Sequence, residues 1–201
     1  LAFLGADAVY WQVRLEPAAG GTPNRVVVCY RSATIDPVQD ASLKTINWRD
    51  PPVNRPEQLL VGLQFGGAPQ NGNVSYVVTN SGNWMYAGTG FHDGDSVAGL
   101  VGYEADEAMP AANLIPANLN QSYTVLSSSP YIDTDGRATH SSSTIYQAPS
   151  GAWVFASGTM SWSWGLDKPG TVDPRIQLTT ANLLNRFLDP SAAMPDRGKQ
   201  N

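Results

Sequence analysis

Residues 141–167 read SSSTIYQAPSGAWVFASGTMSWSWGLD, and this stretch decides the fold. Within it, STIYQ and AWVFAS are two β-like runs separated by Ala-Pro-Ser-Gly at residues 148–151. The second run alternates aromatic and aliphatic side chains, which is the period of a strand whose two faces meet different surroundings. The stretch therefore predicts a β-hairpin over residues 143–157.

The residues around this hairpin predict more strands before it and a helix after it. Short β-like runs at residues 74–79, 97–104 and 123–127 are separated by Gly, Pro, Asn, Asp and Ser turns. After the hairpin, Asp173 followed by Pro174 is a typical helix start, with an N-cap and a proline at the first helical position. One helical face then carries the apolar positions Ile176, Thr180, Leu183, Leu184, Phe187 and Leu188.

The first part of the chain is less regular. Residues 1–5, LAFLG, predict a strand already in progress, so we expect the chain to be a piece of a larger polypeptide. Residues 25–31, RVVVCYR, predict a buried strand that pairs with this first strand and buries the thiol of Cys29. Residues 7–15 fit a short helix or a strand, and residues 56–63 predict a short helix.

Composition limits the class of protein. Hydrophobic residues make up 42% of the 201 positions and charged residues 14%, which predicts one globular domain over residues 1–190 with a flexible tail at 191–201. The net charge of −5, with no cluster of Lys or Arg, argues against nucleic acid and membrane as partners. With one cysteine and two separated histidines, we expect no metal site within this chain.

One polar turn and two strand ends contain candidate site residues. His92, Asp93 and Asp95 bring an imidazole and two carboxylates together, and these could bind a ligand or a cation. We favour a tight Asp-Gly turn, because the further oxygen ligands of a calcium loop are missing. Glu104 ends an apolar run and Asp7 ends the first predicted strand, where a partly desolvated carboxylate is able to act as an acid or a base.

Six tryptophans suggest a second kind of site. Trp162 and Trp164 are two residues apart, so on a strand they would share a face and could stack on a sugar ring. Packing in the core is the simpler interpretation, because tryptophan is highly buried on average.

The chain resembles a known family over nearly its whole length. The phrases LAFLGADAVYWQVR, VVVCYR, TINWRD and NWMYAGTGFHDGDSVAGLVGYEAD precede the tryptophan hairpin and DPRIQLTTANLLNRFL follows it. In this order they resemble the carboxyl-terminal part of the large subunit of bacterial dimethylformamidases. The resemblance implies a mixed, β-rich sheet of α/β to α+β class from a glutamine-amidotransferase-like domain, with a carboxyl-terminal helix.

The resemblance also implies an activity and a metal. The family's amidase cleaves a small formamide with one iron ion held by two tyrosines and a glutamate. The His-Asp-Glu-Tyr-Trp phrase associated with that glutamate comes before the segment that resembles residues 1–14. We therefore expect iron in the full-length protein, no cofactor within this chain, and no amide hydrolysis by the chain alone.

Three candidate catalytic residues follow from the family's pattern. Asp7 stands where the family has asparagine, Arg31 where it has lysine, and Glu104 where it has an acidic residue that supports the site. Asp for Asn removes two donors and adds a charge, and Arg for Lys replaces a tunable amine by a permanently charged fork. Asp7 and Arg31 could pair with each other. Tyr10 and Trp11, in the same phrase as Asp7, are candidate binding residues.

Two functional hypotheses remain. The first is a small-amide hydrolase whose pocket is completed by the upstream segment of the same polypeptide or by a companion chain. The second is a non-catalytic module of a secreted protein that binds carbohydrate or a partner through exposed Trp and Tyr. Few lysines and abundant Ser, Thr, Asn and Gly favour an exported bacterial protein over a cytoplasmic one.

Overall fold

The chain forms ten strands and three α-helices within residues 1–115 and 122–188, the parts that the computed structural model describes. The strands are β1 (Ala2–Phe3), β2 (Arg14–Glu16), β3 (Val26–Val28), β4 (Gln64–Gly67), β5 (Val74–Val77), β6 (Ser96–Val101), β7 (Ala105–Glu107), β8 (Thr124–Ile132), β9 (Ala138–Gln147) and β10 (Trp153–Ala156). The helices are α1 (Gln58–Val61), α2 (Trp164–Asp167) and α3 (Pro174–Leu188). Single turns of 3₁₀ helix lie at Ala41–Leu43, Trp84–Tyr86 and Ala112–Leu114.

The tryptophan hairpin is the centre of the largest sheet, whose strand order is β1-β10-β9-β8. Strand β10 runs antiparallel to β9 and parallel to β1. Ala148 N–H donates to the carbonyl oxygen of Ala152 at 2.8 Å, and Gly151 supplies the left-handed backbone of the turn with a φ of 86°. The predicted hairpin over residues 143–157 is confirmed.

The strand predicted at residues 123–127 is longer than the sequence suggested, because a second hairpin joins β8 to β9. The tight turn of this hairpin is held by Asp133, whose Oδ1 accepts the backbone N–H groups of Asp135 at 2.9 Å and Arg137 at 2.8 Å. Since these bonds engage Oδ1 and Arg137 engages Oδ2 at 2.8 Å, the carboxylate organises a tight turn.

Two smaller antiparallel pairs, β4–β7 and β5–β6, pack beside the large sheet. Isolated bridges join Val78 to Ser127 and Ala105 to Thr159. The strands predicted at residues 74–79 and 97–104 are confirmed, although β6 ends at Val101, before Glu104. Strand β7 thus starts directly after Glu104 and brings Asp106 beside the end of β10.

The main core lies between the hairpins, β5, β6 and helix α3. Phe155 and Trp162 are fully buried there, with ring centroids 5.4 Å apart, and Trp162 Nε1 donates to Thr180 Oγ1 at 3.1 Å. The opposite face of β10 is also buried, because Val154 and Ala156 pack into two smaller clusters. Both faces of the hairpin are therefore covered, as in a sheet with layers on either side.

The predicted carboxyl-terminal helix is confirmed as α3. Asp173 caps it, since its Oδ1 accepts the N–H of Arg175 at 2.8 Å. Ile176 and Leu183 face the core, but the assignment of Leu184 and Leu188 to the buried face is wrong, because they are 48% and 84% exposed. The predicted tail at residues 191–201 lies outside the described residues.

The prediction for residues 25–31 is wrong in its partner and its burial. Strand β3 pairs with β2, whereas β1 pairs with β10. Val27 is 66% exposed and Cys29 is also exposed, so this apolar run lies on a two-stranded ribbon and not in the core. Most of residues 7–15 lies outside regular structure, and β2 forms only from Arg14.

The observed class is mixed and strand-rich, with a parallel pair, several antiparallel pairs and a carboxyl-terminal helix, as predicted. Helix α1 confirms the short helix expected within residues 56–63. Among the described residues, no helix is long and apolar enough to cross a membrane. The glutamine-amidotransferase-like origin of the sheet and the extent of the domain stay predictions.

Candidate carboxyl site

The site begins where the chain leaves β1. Asp7 and Val9 both have left-handed backbone conformations, with φ of 54° and 59°. For a β-branched residue such as valine this conformation is strained, because its side chain clashes with the neighbouring backbone. Strain of this kind persists only where surrounding contacts impose it, and it clusters at functional sites. The bend turns Asp7 toward strand β7.

Strand β7 contributes Asp106, which is 2% exposed. Its backbone N–H donates to the carbonyl oxygen of Gly158 at 2.9 Å, and its Oδ1 accepts the N–H of Asp7 at 2.9 Å. Gly158 is needed here, since its φ is 65° and a Cβ atom would lie 1.8 Å from the carbonyl oxygen of Ser142. Two aspartates far apart in sequence are thus held together by the backbone.

The pKa of Asp7 is raised from 3.8 to about 6. Burial is the main cause, because it disfavours the charged form, and the negative charges of Glu104 and Glu57 add to it. The positive charge of Arg49 acts in the opposite direction. The Oδ1 atom of Asp7 is buried and has no hydrogen-bond partner among the described residues. Asp7 therefore combines a pKa near neutrality with an unused oxygen.

The pKa of Asp106 is raised from 3.8 to about 7. Burial is again the largest cause, the N–H of Asp7 opposes it, and the charges of Asp7 and Glu57 raise the pKa further. Because the charge of Asp7 raises the pKa of Asp106, the ionisation of Asp106 is coupled to that of Asp7. At a pH near 7, Asp7 is therefore mostly ionised and Asp106 is about half protonated.

Glu57 and Arg49 are the charged residues next to the pair formed by Asp7 and Asp106. Glu57 is 2% exposed, and the guanidinium of Arg49 binds both of its carboxylate oxygens through Nε and Nη2. Arg49 Nη1 also donates to the carbonyl oxygen of Phe65 at 3.1 Å, and the guanidinium lies 5.3 Å from the ring centroid of Tyr10. This bidentate pairing holds the Glu57 carboxylate in position, so Glu57 affects the two aspartates mainly through electrostatic repulsion.

The structure brings Glu104 close to Asp7, as shown by its effect on the pKa of Asp7. Glu104 is half-buried and follows Tyr103, another residue with a left-handed φ, of 58°. Arg31 lies elsewhere: it is exposed, and its guanidinium is 5.3 Å from the ring centroid of Trp11. In the described part of the chain no ion pair joins Asp7 to Arg31.

The remaining candidate residues lie in turns or in the core. His92 is exposed, and its N–H donates to Asp95 Oδ2 at 2.9 Å, while Asp93 Oδ1 accepts the N–H of Ser81 at 2.6 Å. These bonds agree with the tight-turn interpretation. The shared strand face proposed for Trp162 and Trp164 is wrong, because Trp162 lies in a buried turn and Trp164 starts helix α2.

The side chains present do not fit the iron set that the family resemblance implies. Asp106 Oδ1 is occupied by the N–H of Asp7, and Glu57 is occupied by Arg49, which leaves Oδ1 of Asp7 as the oxygen without a partner. Within residues 1–115 and 122–188, no group of three His, Cys, Asp or Glu side chains is placed to hold a metal ion. The arrangement suits proton transfer better than coordination.

The sequence identified part of this site and missed the rest. Asp7, Tyr10 and Glu104 were expected, whereas Asp106 and the Arg49–Glu57 pair were not. Asp106 follows Glu104 by two positions in the run EADE, so this run of acidic residues beside an apolar strand was the available signal. In the sequence, Glu57 lies at the start of a predicted short helix, where a negative charge is favourable. Its pairing with Arg49 depends on tertiary contacts, so the sequence did not indicate it.

Comparison with known proteins identifies the family of the chain. No curated protein matches the chain. The family described as N,N-dimethylformamidase beta subunit-like, C-terminal, matches residues 1–175, which include both aspartates, Arg49, Glu57, Glu104 and the whole tryptophan hairpin. The chain belongs to the N,N-dimethylformamidase beta subunit-like, C-terminal family.

Proposed function

We propose that this chain is the carboxyl-terminal part of a small-amide hydrolase, and that Asp7 and Asp106 serve as its proton-carrying pair. The observation that carries the proposal is the buried, unpartnered Oδ1 of Asp7 beside a second aspartate, with both pKa values raised to near neutrality. A general acid or base works best when its pKa lies near the working pH.

In the proposed reaction, Asp7 takes a proton from a water molecule as the water oxygen attacks the amide carbonyl carbon. The carbon–nitrogen bond then breaks, and the proton passes from Asp7 to the leaving nitrogen. The products are a carboxylic acid and an amine, so one water is consumed and Asp7 returns to its starting state. Asp106 supports the cycle by accepting the backbone N–H of Asp7, which holds Asp7 in position.

Two neighbouring features support the same role. Arg49 holds Glu57 in a buried ion pair, so the negative field near Asp7 is fixed in place. The left-handed conformations of Asp7 and Val9 give the site a rigid entry from β1. Iron in the full-length protein remains part of the proposal by family resemblance, with ligands outside the described residues, and no step above depends on it.

The test is the hydrolysis of small amides by the protein with all of its naturally flanking residues. Asp7→Asn should lower kcat for release of amine by roughly 100-fold or more, because the proton carrier is lost while its size is kept. Asp93→Asn, at an exposed turn, is the matched control and should retain activity. The wild-type rate should rise with pH through a pKa near 6, as Asp7 becomes able to accept a proton.

Two results contradict the proposal. One is the absence of amine release from N,N-dimethylformamide and from larger amides by the flanked protein. The other is Asp7→Asn turning over at the wild-type rate with the same pH profile. Circular dichroism and thermal melts of both variants show whether a loss of rate comes from a loss of fold.

A second candidate function, carbohydrate binding in an exported protein, is favoured by an aromatic pair in which Tyr103 is exposed and Trp164 is half-buried. Tyr103 is 65% exposed, and its ring centroid lies 5.8 Å from that of Trp164, over which Lys168 is placed. Trp162 is buried and contributes nothing to such a surface. Binding on a glycan array that is lost in Tyr103→Ala would support this function, and a blank array would remove it.

A further inference from the structure

A cavity of about 380 Å³ lies beside the carboxyl pair. Among the residues given a chemical role above, Glu57 is the one that lines it. Its walls come from the segment after β1, from the loop before helix α1 and from α1 itself. Val9, Trp48, Leu59 and Leu60 line it together with the charged residues Arg55 and Glu57. Pockets of this size are within the range that holds small organic ligands.

The cavity adjoins the proposed site. Val9 follows Asp7 by two residues, and both have left-handed backbone, so the same bend shapes the pocket wall and the position of the carboxyl group. Glu57 lines the cavity and is also near enough to Asp7 to raise its pKa. Asp7 does not line the cavity itself, so Val9 and Glu57 are the residues that connect the cavity to the carboxyl pair.

The lining is apolar in character. Trp48, Val9 and the two leucines supply aromatic and aliphatic surface, and the charge of Glu57 is already compensated by Arg49. Arg55 also lines the cavity, and its guanidinium lies 5.3 Å from the ring centroid of Trp48. Leu59 and Leu60 are 41% and 53% exposed, although leucine on a short helix is normally turned into a core. Exposed apolar side chains that line a concave surface are typical of a binding site.

The size of the cavity indicates the size of its occupant. At roughly 30 Å³ for each water-sized group, a space of this volume holds about a dozen non-hydrogen atoms. N,N-dimethylformamide would leave much of that space unfilled. An aryl-alkyl group attached to an amide fills it and covers the indole of Trp48.

We infer that this cavity binds the apolar substituent of the substrate, and that the substrate class is aryl-alkyl amides larger than N,N-dimethylformamide. The inference rests on the proposed hydrolase function, because it places the scissile amide at Asp7. It adds the substrate class and the residues that select it: Trp48 as the stacking surface, and Leu59 and Leu60 as the rim.

The first test is binding, measured by isothermal titration calorimetry with N-benzylformamide and with N,N-dimethylformamide. Wild-type protein should bind N-benzylformamide at least tenfold more tightly than N,N-dimethylformamide. Leu59→Trp, which fills the cavity, should weaken the binding of N-benzylformamide at least tenfold. Leu184→Trp is the matched control, because Leu184 is a similarly exposed leucine on α3, and it should bind like wild type.

The second test uses the indole itself. N-benzylformamide should quench part of the tryptophan fluorescence of the wild-type protein, and Trp48→Phe should abolish most of that change. Thermal melts of all three variants confirm that each is folded. The inference is overturned if N-benzylformamide shows no saturable binding, or if Leu59→Trp binds it as tightly as wild type.

The two proposals fail separately. If N-benzylformamide binds in the cavity but the flanked protein does not hydrolyse it, the hydrolase proposal is wrong. The cavity is then a ligand site, and N-benzylformamide is a ligand and not a substrate. If amides are hydrolysed with a KM for N-benzylformamide that Leu59→Trp leaves unchanged, the hydrolase stands and the cavity assignment is overturned.

Discussion

Two buried aspartates in this protein have opposite electrostatic behaviour. The side chain of Asp36 is fully buried, and its oxygens accept bonds from the N–H and the hydroxyl of Thr45 at 2.9 and 2.7 Å, from Arg14 at 3.1 Å and from the N–H of Val38 at 3.1 Å. Asp106 is buried to the same degree, but the N–H of Asp7 is the one donor to its side chain among the described residues.

The difference in donors reverses the pKa. Burial raises the pKa of Asp36, but the hydrogen bonds from Thr45, Arg14 and Val38 outweigh it and hold the pKa well below its usual range. At Asp106 burial dominates and raises the pKa to about 7. A buried carboxylate with its full set of donors stabilises a fold, whereas one left short of donors is available to carry a proton.

The largest effect is expected from replacing Asp36, the aspartate with the full set of hydrogen-bond donors. Asp36→Ala leaves Arg14 and the Thr45 groups without their acceptor, and we expect the melting temperature to fall by roughly 5–10 °C. Asp50→Ala, at an exposed position in the same loop region, should change it by roughly 1 °C or less. Equal melting temperatures for the two variants would contradict the structural role given to Asp36.

The next effect concerns the sign of the pH dependence. Because the folded pKa of Asp106 lies above its unfolded value of 3.8, the folded state binds the proton more tightly between these values. This carboxyl group therefore contributes most to stability at low pH, and that contribution is lost as pH rises toward 7. Asp36 has the opposite sign: its contribution is present above the unfolded pKa and is lost as pH falls below it.

Asp106→Asn tests this sign directly. The amide keeps an Oδ1 acceptor for the N–H of Asp7 and removes the unfavourable charge, so unfolding at pH 8 should cost on the order of 1–2 kcal/mol more than in wild type. At pH 4 the difference should vanish, because the wild-type carboxyl group is then protonated in the folded state. Urea melts at the two pH values measure this, and a variant less stable than wild type at pH 8 would contradict the account.

The smallest effect concerns the strained bend. Val9→Gly relieves a left-handed conformation but removes a partly buried side chain, so the free energy of unfolding should change by less than about 1 kcal/mol. Val13→Gly is the control, since Val13 is 47% exposed and has no left-handed φ. Val9→Gly should be the less damaging of the two despite the greater burial of Val9, and the reverse order would show that the bend is unstrained.

The sequence predicted the parts of the fold that depend on local pattern. The alternation of residues 153–156 and the turn at 148–151 were enough for the hairpin, and Asp173-Pro174 was enough for the start of α3. The run VVV at β3 misled, because β-branched residues suit an exposed ribbon as well as a core strand. Which strand pairs with which is decided by tertiary contacts, so the partner of β1 was not visible.

For the same reason, only part of the candidate site could be predicted from the sequence. Asp7 and Glu104 end apolar runs, which is a local signal. Asp106 became a site residue only because β7 places it against the N–H of Asp7, about a hundred residues earlier in the chain. Asp36 shows the converse, because its low pKa depends on donors from Arg14 and Thr45, which the residues next to Asp36 in sequence do not reveal.

The most direct measurement is an NMR titration of the aspartate side-chain carboxyl carbons, with Asp7→Asn, Asp36→Asn and Asp106→Asn used to assign the three signals. The account predicts midpoints near 6 for Asp7 and near 7 for Asp106, and the midpoint of Asp106 should fall when Asp7 is replaced by asparagine. Asp36 should stay ionised to well below its ordinary pKa. Midpoints near 3.8 for Asp7 and Asp106, or a titration of Asp36 together with them, would contradict the account.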